Sequence, residues 1–414
     1  MKACVIGSGV FGIAAGREIA RSVPDCELHW ISVDPEAGGL WSAASNRSRV
    51  YDSLYLNTSR QRSAFTGTVI EADPLVHFVH HSCYAAYLRE VAAGCAAAER
   101  HWECLVTSVT SQPDGSWRLH WKTREGRPCE AGFDAVVDAT GHSTEPLGPK
   151  VPAADHLAYE YRHSASYQNV EPYCGKRVLV IGSGASAVDI VCDLVSVASH
   201  VAISIGSPKW FLPKTFLGQP IDHSSDSWWQ HAPVLSRLAA GVAESVVHRV
   251  VGRYPSYGLE DPATRLSDSI PVLSDHFLGY LSHGRVQVHS RVAALEQTSV
   301  VFADGTADKF DVVVAATGFR DSSPHLPGRV QSSLARGDLG LGLEVPGFAG
   351  LFLMNRFRCG DAAVRCAEVQ ASAIARALLS TPAGRSVPPS IPGLAATPAR
   401  ITARWLRKTY EAYR

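Results

Sequence analysis

An α/β chain built twice over on one strand–turn–helix plan, with the second copy inserted in the first, is what the sequence predicts. Three observations carry that reading. Lys2–Ile6 is a short apolar run that enters Gly7-Ser8-Gly9-Val10-Phe11-Gly12, and Ile13–Ser22 follows at helical spacing. Arg177–Ile181 repeats the plan, entering Gly182-Ser183-Gly184-Ala185-Ser186-Ala187 ahead of Val188–Val197. A third segment is also duplicated. Phe133–Gly141 (FDAVVDATG) is echoed by Phe310–Gly318 (FDVVVAATG), each reading as a late strand that closes its own sheet.

The remaining elements fall around those anchors. Glu27–Val33 reads as the second strand of the first copy and Val201–Ile205 as that of the second. Trp117–Trp121 and Ser299–Phe302 read as hairpin strands, with turns at Asp114-Gly115 and Asp304-Gly305. The expected layout is a first domain over 1–149 and 320–384 and a second over 175–319, the latter carrying an irregular insertion at 216–266. Arg385–Pro398 is proline-rich and reads as a surface linker, and Ala399–Tyr413 as a terminal amphipathic helix.

A G-x-G-x-x-G loop between strand and helix has a mechanism. The first glycine makes the turn, the second lets backbone approach a pyrophosphate, and the third lets helix and strand pack closely. The phosphates then meet the free N–H groups and positive dipole end of the helix. Two such loops make two Rossmann-like dinucleotide-binding domains, one for FAD and one for a nicotinamide cofactor. The N-terminal loop is the flavin candidate, because Gly38-Gly39-Leu40-Trp41 follows its second strand and adjacent glycines admit a flat, bulky ring. The acid that holds the ribose is expected at Asp34, although the distance to Gly38 places Ser32 there instead.

Composition excludes several classes. Lys+Arg equals Asp+Glu at 39 each, so no basic field points to nucleic acid or anionic lipid. Met1-Lys2 leads into Ala3–Ile6 and breaks at Gly7, so no export signal is expected, and no uninterrupted apolar stretch suits a membrane span. Among the 10 cysteines no C-x-x-C pair occurs, and Cys4, Cys192 and Cys366 read as small core residues. A reducing cytoplasm is the expected setting. The 17 histidines form no H-E-x-x-H or deaminase-like pattern, so no metal is expected, and no G-x-S-x-G elbow supports a hydrolase. Trp228-Trp229 and Tyr254–Tyr257 read as aromatic packing within the insertion.

Beyond the two loops and Gly38–Trp41, the chain resembles the flavin-containing monooxygenases over most of its length. Tyr51–Ser59 looks like the family segment that carries an active-site asparagine, and His80–Leu88 like the helix that follows it. Ala139–His142 and Ala316–Phe319 match the two "ATG" strands of the family, and Leu351–Met354 with Glu368–Ala371 its closing strand and helix. The resemblance implies a cycle in which NADPH reduces FAD, O2 adds at flavin C4a, and the hydroperoxide passes one oxygen to nitrogen or sulfur of a small molecule. Asn57 is then the catalytic residue, donating a hydrogen bond near flavin N5 or holding the nicotinamide amide. The cofactor-binding residues implied are Gly7, Gly9, Gly12, Asp34, Gly39, Leu40, Trp41, Val106, Thr140, Gly141, Gly182, Gly184, Ser186, Ala187, Lys209, Thr317, Gly318 and Gln370.

The fingerprint F-x-G-x-x-x-H-x-x-x-[YFW] maps onto Leu157–Tyr167. His163 and Tyr167 fit, while Leu157 and Tyr159 depart. His163 is expected on an interdomain connection, and Tyr167 leans towards N- and S-oxygenation. Where the family commonly has an arginine for the 2′-phosphate of NADPH, only Lys209, or less well Lys214, follows Ile205, so NADH remains an alternative donor. A two-domain flavoprotein dehydrogenase or oxidase and a non-enzymatic redox sensor are the competing readings. The partners expected are substrate and O2, with no nucleic acid and no stable membrane insertion. A dimer is compatible with the sequence.

Overall fold

The computed structural model describes residues 1–414 except 46, 143–144, 223–240, 242–243, 267–268, 321, 337–342, 344–346, 357–361 and 381–414. Trp228-Trp229, the proline-rich segment and the expected terminal helix lie outside the described residues. Along the chain come β1 (Lys2–Ile6), α1 (Val10–Ser22), β2 (Glu27–Ile31), α2 (His81–Ala93), β3 (Ala98–His101), β4 (Leu105–Ser111), β5 (Trp117–Lys122), β6 (Pro128–Phe133) and β7 (Ala135–Asp138). Next are β8 (Glu160–His163), β9 (Arg177–Ile181), α3 (Ala185–Leu194), β10 (His200–Ser204), β11 (Gln287–His289), β12 (Val292–Leu295), β13 (Val300–Phe302) and β14 (Val312–Ala315). The last are β15 (Leu351–Leu353) and α4 (Ala363–Ser380).

The described residues form two compact units, one of 1–50, 60–144 and the chain after 320, the other of 51–59 and 145–320. Tyr51–Ser59 thus groups with the second unit, whereas the boundary read from sequence keeps it in the first. In the first unit a five-stranded parallel sheet runs β15-β7-β1-β2-β3. In the second the order is β8-β14-β9-β10-β11, again parallel. The two orders are the same, except that the outer place beside the late strand is filled by β15 from the chain's return in one unit and by β8 from before the glycine loop in the other. Central strands of both sheets are almost wholly buried, which is why they read as continuous Val/Ile/Ala runs rather than alternating ones.

Each unit adds a three-stranded antiparallel layer, β4-β5-β6 in the first and β12-β13 with Ala307–Asp308 in the second. Helix α4 packs along α1 in the first unit. Within the insertion Tyr254 is buried: its hydroxyl accepts from Phe211 N–H and donates to Phe211 C=O, each at 3.0 Å. Cys4 is fully buried, and burial pushes the half-buried Cys192 thiol up to about 12. Cys366 is also buried but is disulfide-bonded, which corrects its reading as an unmodified core thiol. Among the described residues no helix is long and apolar enough to cross a membrane.

Candidate functional site

The first glycine loop is tight because it has to be. Gly7 sits at φ +104°, where a side chain would strain the backbone, and a Cβ there would lie 2.5 Å from the Ala139 carbonyl oxygen. A Cβ on Gly12 would lie 2.0 Å from Gly7 O, so α1 closes directly on the turn. Gly39, at φ +56°, brings the second glycine pair against Gly9, with 2.8 Å between its Cβ position and Gly9 Cα. Trp30 fixes the loop from below, its indole N–H donating to Gly7 O at 2.8 Å.

These segments line a cavity of about 310 Å3 in the first unit. Gly7, Gly9, Asp34, Gly39, Leu40, Trp41, Val106, Thr140 and Gly141 all contribute to its wall, as does Ser32, the alternative to Asp34, together with Ser8, Arg47, His325 and Asn355, which sequence reasoning missed. Gly12 and Gln370 are not on that wall. Gln370 is buried and accepts the Asn355 backbone N–H through Oε1 at 3.0 Å, holding Asn355 at φ +60°. Gln370 thereby places Asn355, which does line the cavity.

Asp34 and Ser32 both face the cavity, bound to one another's surroundings. Ser8 Oγ lies 2.8 Å from Ser32 Oγ and donates to Asp34 Oδ2 at 3.3 Å, while Ser45 Oγ donates to Asp34 Oδ1 at 2.5 Å. Below the other rim is a buried ion cluster. Arg356 Nη2 donates to Asp138 Oδ2 and to Ser323 Oγ at 2.8 Å each, Arg356 Nη1 donates to Gly141 O at 3.1 Å, and His325 Nε2 stands 3.4 Å from Asp138 Oδ1. Burial alone would raise the Asp138 pKa. His325 and Arg356 outweigh it and hold the carboxyl well below the usual range.

In the second unit the glycine loop is built the same way with one change. Gly182, at φ +147°, stands where a Cβ would be 2.4 Å from Ala316 O, and Gly184 faces open space. Ala187 replaces the third glycine and is accommodated because its methyl sits 3.3 Å from the place Gly182 leaves empty. Ser186 falls in the first turn of α3. Thr317 and Gly318 are engaged within the unit, Thr317 Oγ1 donating to Leu147 O and Gly318 O accepting from His163 Nε2 at 3.1 Å.

His163 is therefore not on a free connection. It ends β8, paired with Ala315 of β14, and its Nδ1 accepts from Ala165 N–H at 3.0 Å, which assigns the ring proton to Nε2. Tyr167 is buried and donates to Asp193 at 2.6 Å. One turn earlier on α3, Asp189 accepts from Tyr51 OH at 2.9 Å and hydrogen-bonds the Asn57 side chain. Burial raises the Asp189 pKa, with Tyr51, Lys214 and Asn57 pulling the other way. The Asn57 amide N–H is thus turned towards Asp189, and its Oδ1 is a buried acceptor with no protein partner. Lys209 is exposed. The cation that touches the end of the second strand is Arg291, whose Nη2 donates to Gly206 O at 2.5 Å. It lies 85 residues away in sequence, and no local motif announces it.

Residues 1–338 match the family model of flavin-binding monooxygenase-like proteins. The chain belongs to that family. Rat dimethylaniline monooxygenase [N-oxide-forming] 2 is 31% identical over 348 residues, covering 78% of this chain and 63% of the relative. The chain thus spans less than two thirds of that relative's length. Among solved structures, S-allyl-L-cysteine S-oxygenase from Allium sativum matches with a TM-score of 0.64 at 21% identity, over 100% of this chain and 81% of that one. A flavin-containing monooxygenase from Stenotrophomonas maltophilia matches with a TM-score of 0.65 at 22% identity, over 92% and 98%. These likenesses bear out the fold, two dinucleotide-binding domains with the second inserted in the first.

Proposed function

We propose that this protein is an FAD-dependent monooxygenase, reduced by a nicotinamide cofactor, that passes one oxygen atom of O2 to nitrogen or sulfur of a small molecule. The single observation that carries the reading is the doubled glycine-loop sheet, with the first copy opening on a cavity that Gly38–Trp41 helps to wall. Family membership supports it, and so do the names of two similar proteins, one N-oxide-forming and one an S-oxygenase. FAD, when bound, supplies hydride acceptance and activation of O2.

The protein's own residues do the rest. Gly9 and Gly39 admit the cofactor backbone-to-backbone, and α1 presents its N-terminus to the pyrophosphate. Ser32 and Asp34 offer acceptors to the ribose hydroxyls, while Thr140 and Gly141 close the opposite wall. Gly182, Gly184, Ser186 and Ala187 hold the nicotinamide diphosphate in the second unit. Arg291, more than Lys209, supplies the positive charge for a 2′-phosphate, which favours NADPH over NADH. Asn57, fixed by Asp189, offers its free carbonyl oxygen as an acceptor, which suits the carboxamide of the nicotinamide. His163 and Tyr167 are positioning residues that lock β8 and its following turn onto β14 and α3. The cytoplasm is the proposed setting.

Titrating the purified protein with FAD and reducing it anaerobically with NADPH or NADH tests the reading. Stoichiometric flavin, bleached faster by NADPH and reoxidised with O2 uptake, is expected. A protein that stays colourless, or a bound flavin that neither nicotinamide reduces, overturns it.

A further inference from the structure

Away from both glycine loops, the first unit gathers two histidines and a glutamate on one face of its sheet. β2 and β3 run parallel with His29 opposite Glu99 and Ile31 opposite His101, so period-two alternation sets His29, Glu99 and His101 side by side. His29 Nδ1 lies 3.0 Å from His101 Nε2 and 3.7 Å from Glu99 Oε2, and His101 Nε2 lies 3.3 Å from Glu99 Oε1. A tetrahedral ion with bonds of about 2.0–2.1 Å spaces its ligands about 3.3 Å apart, and the His–His separation and the two separations to the Glu99 carboxylate, one to each of its oxygens, straddle that value.

The surroundings orient these atoms as a metal site requires. His29 Nε2 donates to Glu27 Oε1 at 2.9 Å, and Lys2 Nζ holds the same carboxylate at 2.6 Å. A ring whose Nε2 carries the proton keeps Nδ1 as an acceptor, here facing His101 Nε2 at 3.0 Å. Glu27 is thus the outer carboxylate of a carboxylate–histidine–metal arrangement. The His29 and His101 rings lie parallel, within 3°, with centroids 5.3 Å apart. His29 is 8% exposed and His101 22%, whereas Glu99 is 62% exposed, so the group is reached from solvent on the Glu99 side. Glu27 and Glu99 outweigh Lys2 by one negative charge, which suits a dication.

We propose that His29, His101 and Glu99 form a binding site for a single Zn2+ or a similar first-row divalent ion, with a water in the fourth position. Without metal, the His101 Nε2 proton is shared with His29 Nδ1. On binding, that proton moves to His101 Nδ1, Zn2+ takes the two freed nitrogen lone pairs and one Glu99 oxygen, and no redox change occurs. The ion staples edge strand β3 to β2 just before the chain reaches Ser32 and Asp34.

The test is a Co2+ titration of the untagged, FAD-loaded full chain, read by visible absorption, with Zn2+ competition and metal analysis after dialysis. One equivalent is expected, with the intense bands of a low-coordinate Co2+ centre. H101Q and E99Q should each weaken Co2+ at least 10-fold, E27Q about 10-fold, and H120Q, which alters the neighbouring His120–Glu130 pair, not at all. Unchanged flavin content in these variants separates metal loss from misfolding. Failure of the wild type to take up one equivalent overturns the proposal. So does uptake that survives H101Q, or uptake lost in H120Q.

Discussion

Replacing Gly12 by alanine would set a methyl group 2.0 Å from the Gly7 carbonyl oxygen, which is backbone and cannot swing aside. To reach ordinary van der Waals contact at 3.4 Å, α1 must retreat from the turn by about 1.4 Å. That distance separates a well-aligned hydrogen bond from a poor one. One charge-assisted bond from the helix N-terminus to a phosphate is worth about 1.5–3 kcal/mol, so FAD affinity should fall about 10- to 100-fold. The matched control is Ala187→Gly in the second loop, where a methyl is already accommodated. It should cost about 1 kcal/mol of helix stability and leave FAD untouched. Flavin retained on purification and the Kd from fluorescence titration of apoprotein read the effect, with thermal unfolding alongside. If Gly12→Ala bound FAD as the wild type does while remaining folded, the account of the loop would be wrong.

Other predictions address the remaining parts. Arg291→Gln should raise KM for NADPH about 10-fold or more while leaving NADH nearly unchanged, in steady-state assays with both donors. Asp138→Ala should destabilise the protein by about 3–5 kcal/mol in denaturant unfolding, because it strands Arg356 buried without its carboxylate. Because the folded Asp138 pKa is depressed, its stabilisation is present above the ordinary carboxylate pKa. It is lost as pH falls below about 4, so the advantage over Asp138→Asn should shrink there. Asn57→Asp should slow flavin reduction by the nicotinamide at least 10-fold with FAD still bound, since it sets a second carboxylate beside Asp189. Rapid-mixing reduction at saturating NADPH measures that step.

Much of the fold was legible because both copies advertise it with the same signals. The apolar runs of β1, β7, β9 and β14 are buried on both faces, and glycines mark the places where a Cβ would strike backbone. The cavity wall of the first unit was legible for the same reason, since Gly7, Gly39 and Thr140 are local to motifs. What escaped depends on long-range register. β8 looks like a linker in sequence, and only pairing with β14 makes Glu160–His163 a strand. Arg291 reaches Gly206 from the end of β11, which only the sheet register sets beside β10. Gln370 keeps its helix, but its hydrogen bond to Asn355 joins two segments 15 residues apart that no local pattern pairs. The His29–Glu99–His101 group was hidden too, because its members come together only through the β2–β3 register.

Oxygen-isotope transfer tests the central claim most directly. Under 18O2, with NADPH and a tertiary amine or thioether that stimulates NADPH oxidation, the product should gain one 18O atom for each NADPH consumed. NADPH oxidation in which all the oxygen emerges as hydrogen peroxide with every such substrate, or a product labelled from water instead, would contradict the account.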